Sequence, residues 1–463
     1  MMIKYIIIIF LVGQTIVAQA QIKFSTETNI KIFEKAKEQN KLVAFVIENE
    51  NCKNCNELAE KGLSVDSIKA IIDNNFIIKK VSKISETTII DTQLYNLSKN
   101  FFGLICTNEN GNILSLHQGS TSNSNHYFKT LQNALQENLN YNNSLTALIN
   151  NYYSNSKSII DVQNLVNKIL SIHIEPSQKI IDELVQIAPE DSSRSISFVQ
   201  YIIKLAPLLN SNAMKYAGQN KEIFVTAWYR LELPLRIEIN NKVVIKSLQK
   251  AIDLKDRNYA YDIANFRASA NLNNNYNEIQ RASDAVMLTF FKETKDTNAY
   301  TNLALRYFEV NFMNLGVDSI VKLDSIRNTK NYKLSTTLYD YQNNTVDTLS
   351  NKTFKTSPNN TSNQALRISN ILNEGAWTMY TFTKDTFKIR KALDWAKRAI
   401  EFDKNYAVID TYARLLYRLN NIEEAILMEK EAIALAKKEE ISTVEFEEVL
   451  KKMKKKLTAI DEY

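Results

Sequence analysis

Glycine and proline are scarce in this chain of 463 residues, with 8 and 5 copies respectively. So few turn-forming residues argue against a turn-rich all-β architecture and favour long helices. They also argue against the glycine-rich loop that cradles nucleotide phosphates in many enzymes. We therefore predict a helix-rich protein that uses no cofactor.

Neither sign of charge dominates, since 57 Lys and Arg residues face 51 Asp and Glu residues and the formal net charge is only +6. No basic run is interleaved with aromatic residues, the pattern that is typical of a nucleic-acid-binding surface. The basic cluster between Lys451 and Lys456 follows Glu445, Glu447 and Glu448. That arrangement is typical of a solvated terminal helix, so we predict no nucleic-acid partner.

Long hydrophobic runs are missing beyond the N-terminus, where no stretch reaches the roughly 18 apolar residues that a membrane-spanning helix requires. The N-terminus itself carries Lys4, a short apolar stretch over residues 5–17, and Ala18-Gln19-Ala20, which fits a signal peptidase site. We predict a signal peptide over residues 1–20 that is cleaved after Ala20. The mature protein is then periplasmic or secreted, with an uncleaved anchor as the alternative.

Cysteine is also rare, with only Cys52, Cys55 and Cys106 in the chain. Cys52 and Cys55 are separated by two residues, and closing so short a loop removes little chain entropy, so the pair would be a poor structural staple. Redox or metal chemistry suits this spacing better. Cys106 lies in an apolar run, and we expect it to be a buried core residue.

Residues 21–140 alternate between helical and strand patterns, which predicts a sheet covered by helices. The predicted strands cover 41–47, 76–81, 104–107 and 112–117, with a tight turn at Asn108–Gly111. Four helices are predicted: one over 30–40, one that begins at the cysteine pair, one over 89–97 and one over 125–139.

The cysteine pair follows a predicted strand and opens a predicted helix. A helix N-terminus presents unpaired N–H groups and a partial positive charge, which together stabilise a thiolate. This placement makes Cys52 the candidate nucleophile and Cys55 the candidate resolving thiol.

The order of elements and the placement of Cys52-Lys53-Asn54-Cys55 resemble the thioredoxin superfamily. The resemblance is greatest to secreted members that begin with a segment like Phe33–Lys41, and it spans nearly all of residues 21–140. It implies an α/β, thioredoxin-like N-terminal domain with Cys52 and Cys55 as catalytic residues.

The chain departs from redox-active members of that superfamily at three places. They commonly carry a cis-proline facing the dithiol, whereas no proline occurs near Phe102. Their buried acid six residues before the first cysteine is replaced by Val46, and the aromatic residue just before that cysteine is replaced by Asn51. These departures remove residues that would serve in proton transfer and in substrate binding.

Three interpretations of the cysteine pair stay open: thiol–disulfide exchange, a vestigial or purely structural pair, and metal binding. A zinc site normally has four protein ligands, and no second cysteine pair or His-x-x-x-His follows. His117, His126 and His173 are isolated in the sequence, so we expect ordinary surface or strand histidines and no metal site.

Beyond residue 140 the apolar period becomes helical, as in Ile180, Leu184 and Ile187, after which Pro189 interrupts the pattern. Further helices are predicted at 198–209, 246–254 and 300–313. We interpret 141–342 as a helical region, either of degenerate repeats or a separate helical domain, and the polar segment 343–364 as a loop or linker.

The C-terminus contains an internal repeat. Ala392 and Ala425 lie 33 positions apart, as do Ala399 and Ala432. This period is close to the roughly 34 residues of a tetratricopeptide repeat. Small side chains at these positions allow paired helices to approach closely.

The segments Lys391–Asp403 and Asp410–Leu416 resemble the tetratricopeptide family closely, although Lys404 and Asn420 replace its usual turn proline and glycine. Asn tolerates the left-handed backbone conformation that such a turn requires. The resemblance implies an all-α repeat, or α-solenoid, over 365–463 with a terminal capping helix, and a protein partner bound along its concave surface.

The leading functional hypothesis is a cell-envelope thiol–disulfide oxidoreductase in which Cys52 attacks a substrate disulfide and Cys55 resolves the mixed disulfide. The helical repeats recruit a protein partner or substrate. The alternative is a non-catalytic protein-interaction scaffold with a vestigial thioredoxin-like domain.

Overall fold

The computed structural model describes residues 22–50, 52–83, 101–139, 145–154, 158–270, 276–326 and 363–456. The chain divides into two compact units, Met1–Val243 and Val244–Tyr463. The predicted signal peptide, Asn51, the predicted helix at 89–97 and nearly all of the predicted linker lie outside the described residues.

The first unit begins with a four-stranded mixed sheet made of β1 (Leu42–Ile47), β2 (Phe76–Val81), β3 (Gly103–Thr107) and β4 (Ile113–Gln118). The strand order is β2-β1-β3-β4. Strand β1 is parallel to β2 and antiparallel to β3, which in turn is antiparallel to β4. All six residues of β1 are buried, as expected for a central strand covered on both faces.

Four helices cover the two faces of this sheet: α1 (Asn29–Gln39), α2 (Lys53–Leu63), α3 (Asp66–Asn75) and α4 (Ser124–Leu139). Successive strand residues point to opposite faces. Ala44 and Val46 therefore pack in one core with residues of α2, α3 and α4. Phe45 points the other way and contacts Phe33 of α1, with ring centroids 5.9 Å apart.

The predicted strands and flanking helices of this region are confirmed to within one or two residues at each end. Helix α3 was not predicted as a separate element. Ser64 ends α2, and its hydroxyl donates to the Glu60 carbonyl oxygen at 2.6 Å. Val65 is extended, so the chain changes direction before α3 begins at Asp66.

The rest of the first unit consists of short helices: α5 (Leu145–Tyr152), α6 (Ile159–Ser171), α7 (Gln178–Gln186), α8 (Ile196–Lys204), α9 (Asn212–Gly218) and α10 (Lys221–Tyr229). Serine caps four of them, since the hydroxyls of Ser158, Ser177, Ser195 and Ser211 accept a backbone N–H from the helix each precedes. Each cap satisfies one N–H group that has no partner inside its helix. Helix α11 (Leu233–Leu254) begins in this unit and is much longer than the predicted 246–254.

The described part of the second unit is helical: α12 (Arg257–Ser269), α13 (Tyr276–Glu293), α14 (Thr297–Asn311), α15 (317–326), α16 (Gln364–Phe382), α17 (Thr386–Phe402), α18 (Tyr406–Arg418), α19 (Ile422–Lys438) and α20 (Val444–Lys454). Helix α16 packs on α17, and α18 packs on α19. Within the described ranges, every helix is too short or too polar to cross a membrane.

The repeated alanines lie inside these helix pairs. Ala392 and Ala399 of α17 and Ala425 and Ala432 of α19 are all fully buried. Asn420, between α18 and α19, has a left-handed backbone with φ of 67°. The sequence therefore correctly located both the stripe of close packing and a turn residue that tolerates positive φ.

Helix α2 is held against α4 at a position where only glycine fits. A Cβ atom on Gly62 would lie 2.4 Å from the Thr121 carbonyl oxygen and 2.5 Å from the Tyr127 ring. The Tyr127 hydroxyl in turn accepts the Thr121 N–H at 3.2 Å. This contact sets the position of the helix that carries the cysteine pair.

We predict that Gly62→Ala destabilises the first unit by about 1–3 kcal/mol, because α2 must move away from backbone and a buried ring. The measurement is urea-induced unfolding of the mature protein followed by circular dichroism. Gly218→Ala is the matched control, since a Cβ there meets no atom within 4 Å. An equal loss in both variants would contradict the packing argument.

Candidate functional site

The cysteine pair lies where the chain leaves the central strand β1 and enters α2. Cys52 is the N-cap residue of α2, and its Sγ accepts the Cys55 N–H at an N···S distance of 3.2 Å. The two sulfurs form a disulfide, with the Cα atoms 5.2 Å apart. Both residues are half-buried, so the pair is packed on one side and open to solvent on the other.

Two asparagines tie the preceding loop to the first turn of α2. The Asn49 N–H donates to Asn56 Oδ1 at 2.8 Å, and Asn56 Nδ2 donates to the Asn49 carbonyl oxygen at 3.1 Å. The same carbonyl accepts the Cys52 N–H at 3.2 Å. These two hydrogen bonds between Asn49 and Asn56 were not predicted from the sequence. The sequence signal for them is an Asn in the first helical turn after the cysteine pair, because an Asn amide can both donate and accept a hydrogen bond to the preceding loop.

Charged side chains group beside the same helix. The Lys80 ammonium of β2 lies 3.6 Å from a carboxylate oxygen of Glu48 and also forms an ion pair with Glu60. Glu48 follows β1 directly, and its N–H donates to the Val81 carbonyl oxygen at 2.9 Å. Val46 is buried within β1. The carboxylate of Glu48, at the end of β1, is thus neutralised by a lysine from the neighbouring strand.

The segment 101–103, where the sequence has no proline, leads into β3. Phe101 is buried, and the Phe102 carbonyl oxygen accepts the Gly119 N–H at 2.9 Å. Gly103 has φ of 135°, and a Cβ there would lie 2.1 Å from the His117 carbonyl oxygen. Glycine is required here because the backbones of β3 and β4 approach too closely for any side chain.

Cys106 takes no part in the pair. It lies fully buried in β3. Desolvation raises the pKa of its thiol to about 12, although a hydrogen bond with Ser115 acts to lower that pKa. A thiol that stays protonated is a poor nucleophile. The prediction that Cys106 is a core residue is confirmed.

His117 is a strand histidine and His126 a surface histidine, as expected, but the two meet in the structure. The rings of His117 in β4 and His126 in α4 lie 5.2 Å apart, and the Tyr127 ring lies 5.4 Å from His117. The short connection between β4 and α4 folds back and brings the two rings together. Partial burial and the charge of His126 both lower the pKa of His117.

No set of three or more His, Cys, Asp or Glu residues in the described ranges has the geometry of a metal site. The comparisons with known proteins also leave the chain unassigned, since no family model, no curated protein and no solved structure matches it. The geometry of the cysteine pair is therefore the basis for a functional proposal.

The lowered pKa of His117 predicts how stability changes with pH. Since the unfolded chain takes up this proton at the ordinary pKa of 6.5 and the folded chain only at lower pH, stability is lost as pH falls through that interval. We expect His117→Asn to reduce the drop in Tm between about pH 7.5 and pH 5.

The control for this experiment is His173→Asn, because His173 is exposed at the end of α6 and has a left-handed backbone that Asn tolerates. This variant should keep the wild-type drop in Tm. An unchanged drop in His117→Asn would show that the paired histidines do not contribute.

Proposed function

We propose that this protein is a cell-envelope thiol–disulfide oxidoreductase with a thioredoxin-like N-terminal domain and a tetratricopeptide-like C-terminal region that recruits a protein partner. The observation that carries the proposal is the Cys52–Cys55 disulfide, formed across the first turn of the helix that follows the central strand. The predicted signal peptide supports placement in an oxidising compartment, where such exchange proteins act.

The arrangement of the sheet supports the thioredoxin-like part of the proposal. Strand β1 leads into the helix that carries the pair, β2 returns parallel to β1, and β3 and β4 form an antiparallel hairpin followed by α4. This order of elements agrees with the superfamily that the sequence resembles.

The chemistry begins with the reduced pair. The Cys52 thiolate attacks one sulfur of a substrate disulfide, forms a mixed disulfide, and displaces the other substrate sulfur as a thiolate. The Cys55 thiolate then attacks Cys52 Sγ, closes the Cys52–Cys55 disulfide, and releases the second substrate sulfur. Two electrons pass from the pair to the substrate, and the reverse steps oxidise a substrate dithiol.

The helix N-terminus supplies the stabilisation that Cys52 needs as a nucleophile. The Cys55 N–H already donates to Cys52 Sγ at 3.2 Å, and the same donor suits the sulfur when it carries a negative charge. The partial positive charge of the first turn acts in the same direction. These effects favour the thiolate at Cys52 as the attacking group.

The paired helices α16 to α19 support recruitment of a protein partner. Trp377 of α16 is 38% exposed and stacks on Tyr380, with centroids 5.4 Å apart. The Arg414 guanidinium lies 5.4 Å from the Trp377 ring centroid. Arg414 is buried and bound to Asp410, so the tryptophan is the accessible group, and tryptophan is among the residues that contribute most strongly to protein interfaces.

The second candidate function is a non-catalytic interaction scaffold. It is favoured by the absence of proline in 101–103 and by apolar Val46 at the position where redox-active relatives of the superfamily carry an acid. In that case the disulfide is a structural closure of the first turn, and the helical region carries the function.

The two candidates differ in the reduction potential of the pair. We predict a reversible midpoint between about −120 and −270 mV when the mature protein is equilibrated with graded glutathione buffers and free thiols are trapped. Cys106→Ser is the control and should leave the midpoint unchanged, because Cys106 lies in the core. A pair that does not titrate in this range contradicts the oxidoreductase proposal.

Single cysteine variants test the assigned roles. With Cys106 also replaced, Cys55→Ser should form a mixed disulfide with oxidised glutathione, detectable by intact-protein mass spectrometry, because Cys52 attacks and nothing resolves it. Cys52→Ser should form it much more slowly. Equal rates in the two variants would remove the distinction between nucleophile and resolving thiol.

A further inference from the structure

A large cavity lies within the second unit, away from the cysteine pair. Its volume is about 1040 Å³, and it is bounded by the end of α11 and by α12 to α16. Small-molecule sites usually occupy about 300–1,000 Å³. Most of its wall is apolar, with Leu248, Val286, Phe312 and Ile320 among the lining residues. The size and lining therefore suit a largely apolar small molecule.

The charged residues that line this cavity are unbalanced. Among the described residues of its wall, Arg267, Arg281 and Arg367 stand against one carboxylate, that of Glu278. Within the described part of the chain, neither Arg281 nor Arg367 has an ion-pair partner. An excess of arginine in a largely apolar cavity favours a ligand with a negative charge.

Arg281 of α13, Tyr307 of α14 and Arg367 of α16 come from three helices and line the same cavity. Burial raises the pKa of Tyr307, and the positive charges of both arginines act against that rise. Both positive charges therefore act on the Tyr307 side chain, and all three residues line the cavity. Two cations and one hydroxyl donor make a place suited to one carboxylate.

Two acidic residues on the helices around the cavity already have partners. Asp284, which adjoins Tyr307, is bound through both carboxylate oxygens by Arg306 at 2.8 Å. Asp324 accepts the Ala365 N–H at 2.8 Å at the start of α16. Asp284 and Asp324 are thus engaged by Arg306 and by the backbone of α16.

We propose that this cavity binds a medium-chain fatty acid, with the alkyl chain against the apolar wall and the carboxylate held by Arg281, Arg367 and Tyr307. The two arginines are the specificity-determining residues, because they select an acid over an uncharged chain of the same length. The site is independent of the Cys52–Cys55 chemistry, and the double variant Cys52→Ser/Cys55→Ser is expected to bind the fatty acid as the wild type does.

The test compares sodium dodecanoate with dodecanol, which has the same chain and no charge. Isothermal titration of the mature full-length protein should give saturable binding of one dodecanoate, with dodecanol bound at least about tenfold more weakly. The double variant Arg281→Gln/Arg367→Gln should raise the Kd for dodecanoate by about tenfold or more and leave that for dodecanol unchanged. Circular dichroism verifies that the variant is folded.

Two further variants make the test specific. Arg390→Gln removes the same charge from α17, where the side chain is exposed like Arg281 and Arg367 but does not line the cavity, and should leave both affinities unchanged. Ala282→Phe narrows the cavity without changing its charge and should weaken both ligands. The proposal is overturned if dodecanoate does not bind saturably to the wild type, if dodecanol binds as tightly, or if Arg390→Gln weakens dodecanoate as much as the double variant.

Discussion

The first turn of α2 has backbone N–H groups without partners inside the helix, and the candidate site is organised around satisfying them. Cys52 caps the helix through its sulfur, so the group that satisfies the Cys55 N–H is also the proposed nucleophile. Two hydrogen bonds between Asn49 and Asn56 hold the preceding loop in place. Because β1 is buried and Gly62 lets α2 lie against Tyr127, the pair sits on a support that is well packed.

The second unit depends on close approach between helices rather than on a sheet. Fully buried alanines, such as Ala392 and Ala425, let consecutive helices pack at short distance, and larger side chains such as Trp395 fill the remaining core. The N-terminal part of the same unit contains the large cavity, which is lined by residues between α11 and α16. Tight repeats and an open cavity in one unit are compatible with two binding functions, one for a protein and one for a small amphiphilic anion.

Local patterns predicted the elements well where their period was clear. The alternation around β1 and β2 and the turn at Gly111 led to strands that the structure places within a residue or two. The prediction was weaker where a boundary depended on one residue. Extended Val65 separates α3 from α2, and the start of α11 lies thirteen positions before the predicted one. Both boundaries carry local signals other than the apolar period, since Ser64 and Val65 are poor helix formers and Pro234 lies in the first turn of α11.

The amino-acid sequence by itself determined that Cys52 and Cys55 stand at the start of a helix, that Cys106 is a core residue, and that the C-terminal region is helical, with closely packed alanines 33 positions apart. These properties follow from short-range spacing. Only the tertiary structure decided that His117 meets His126, that Lys80 pairs with Glu48, and that Arg281, Arg367 and Tyr307 line one cavity. Each of these contacts joins side chains from different elements, and their meeting depends on how the elements pack rather than on any local periodicity.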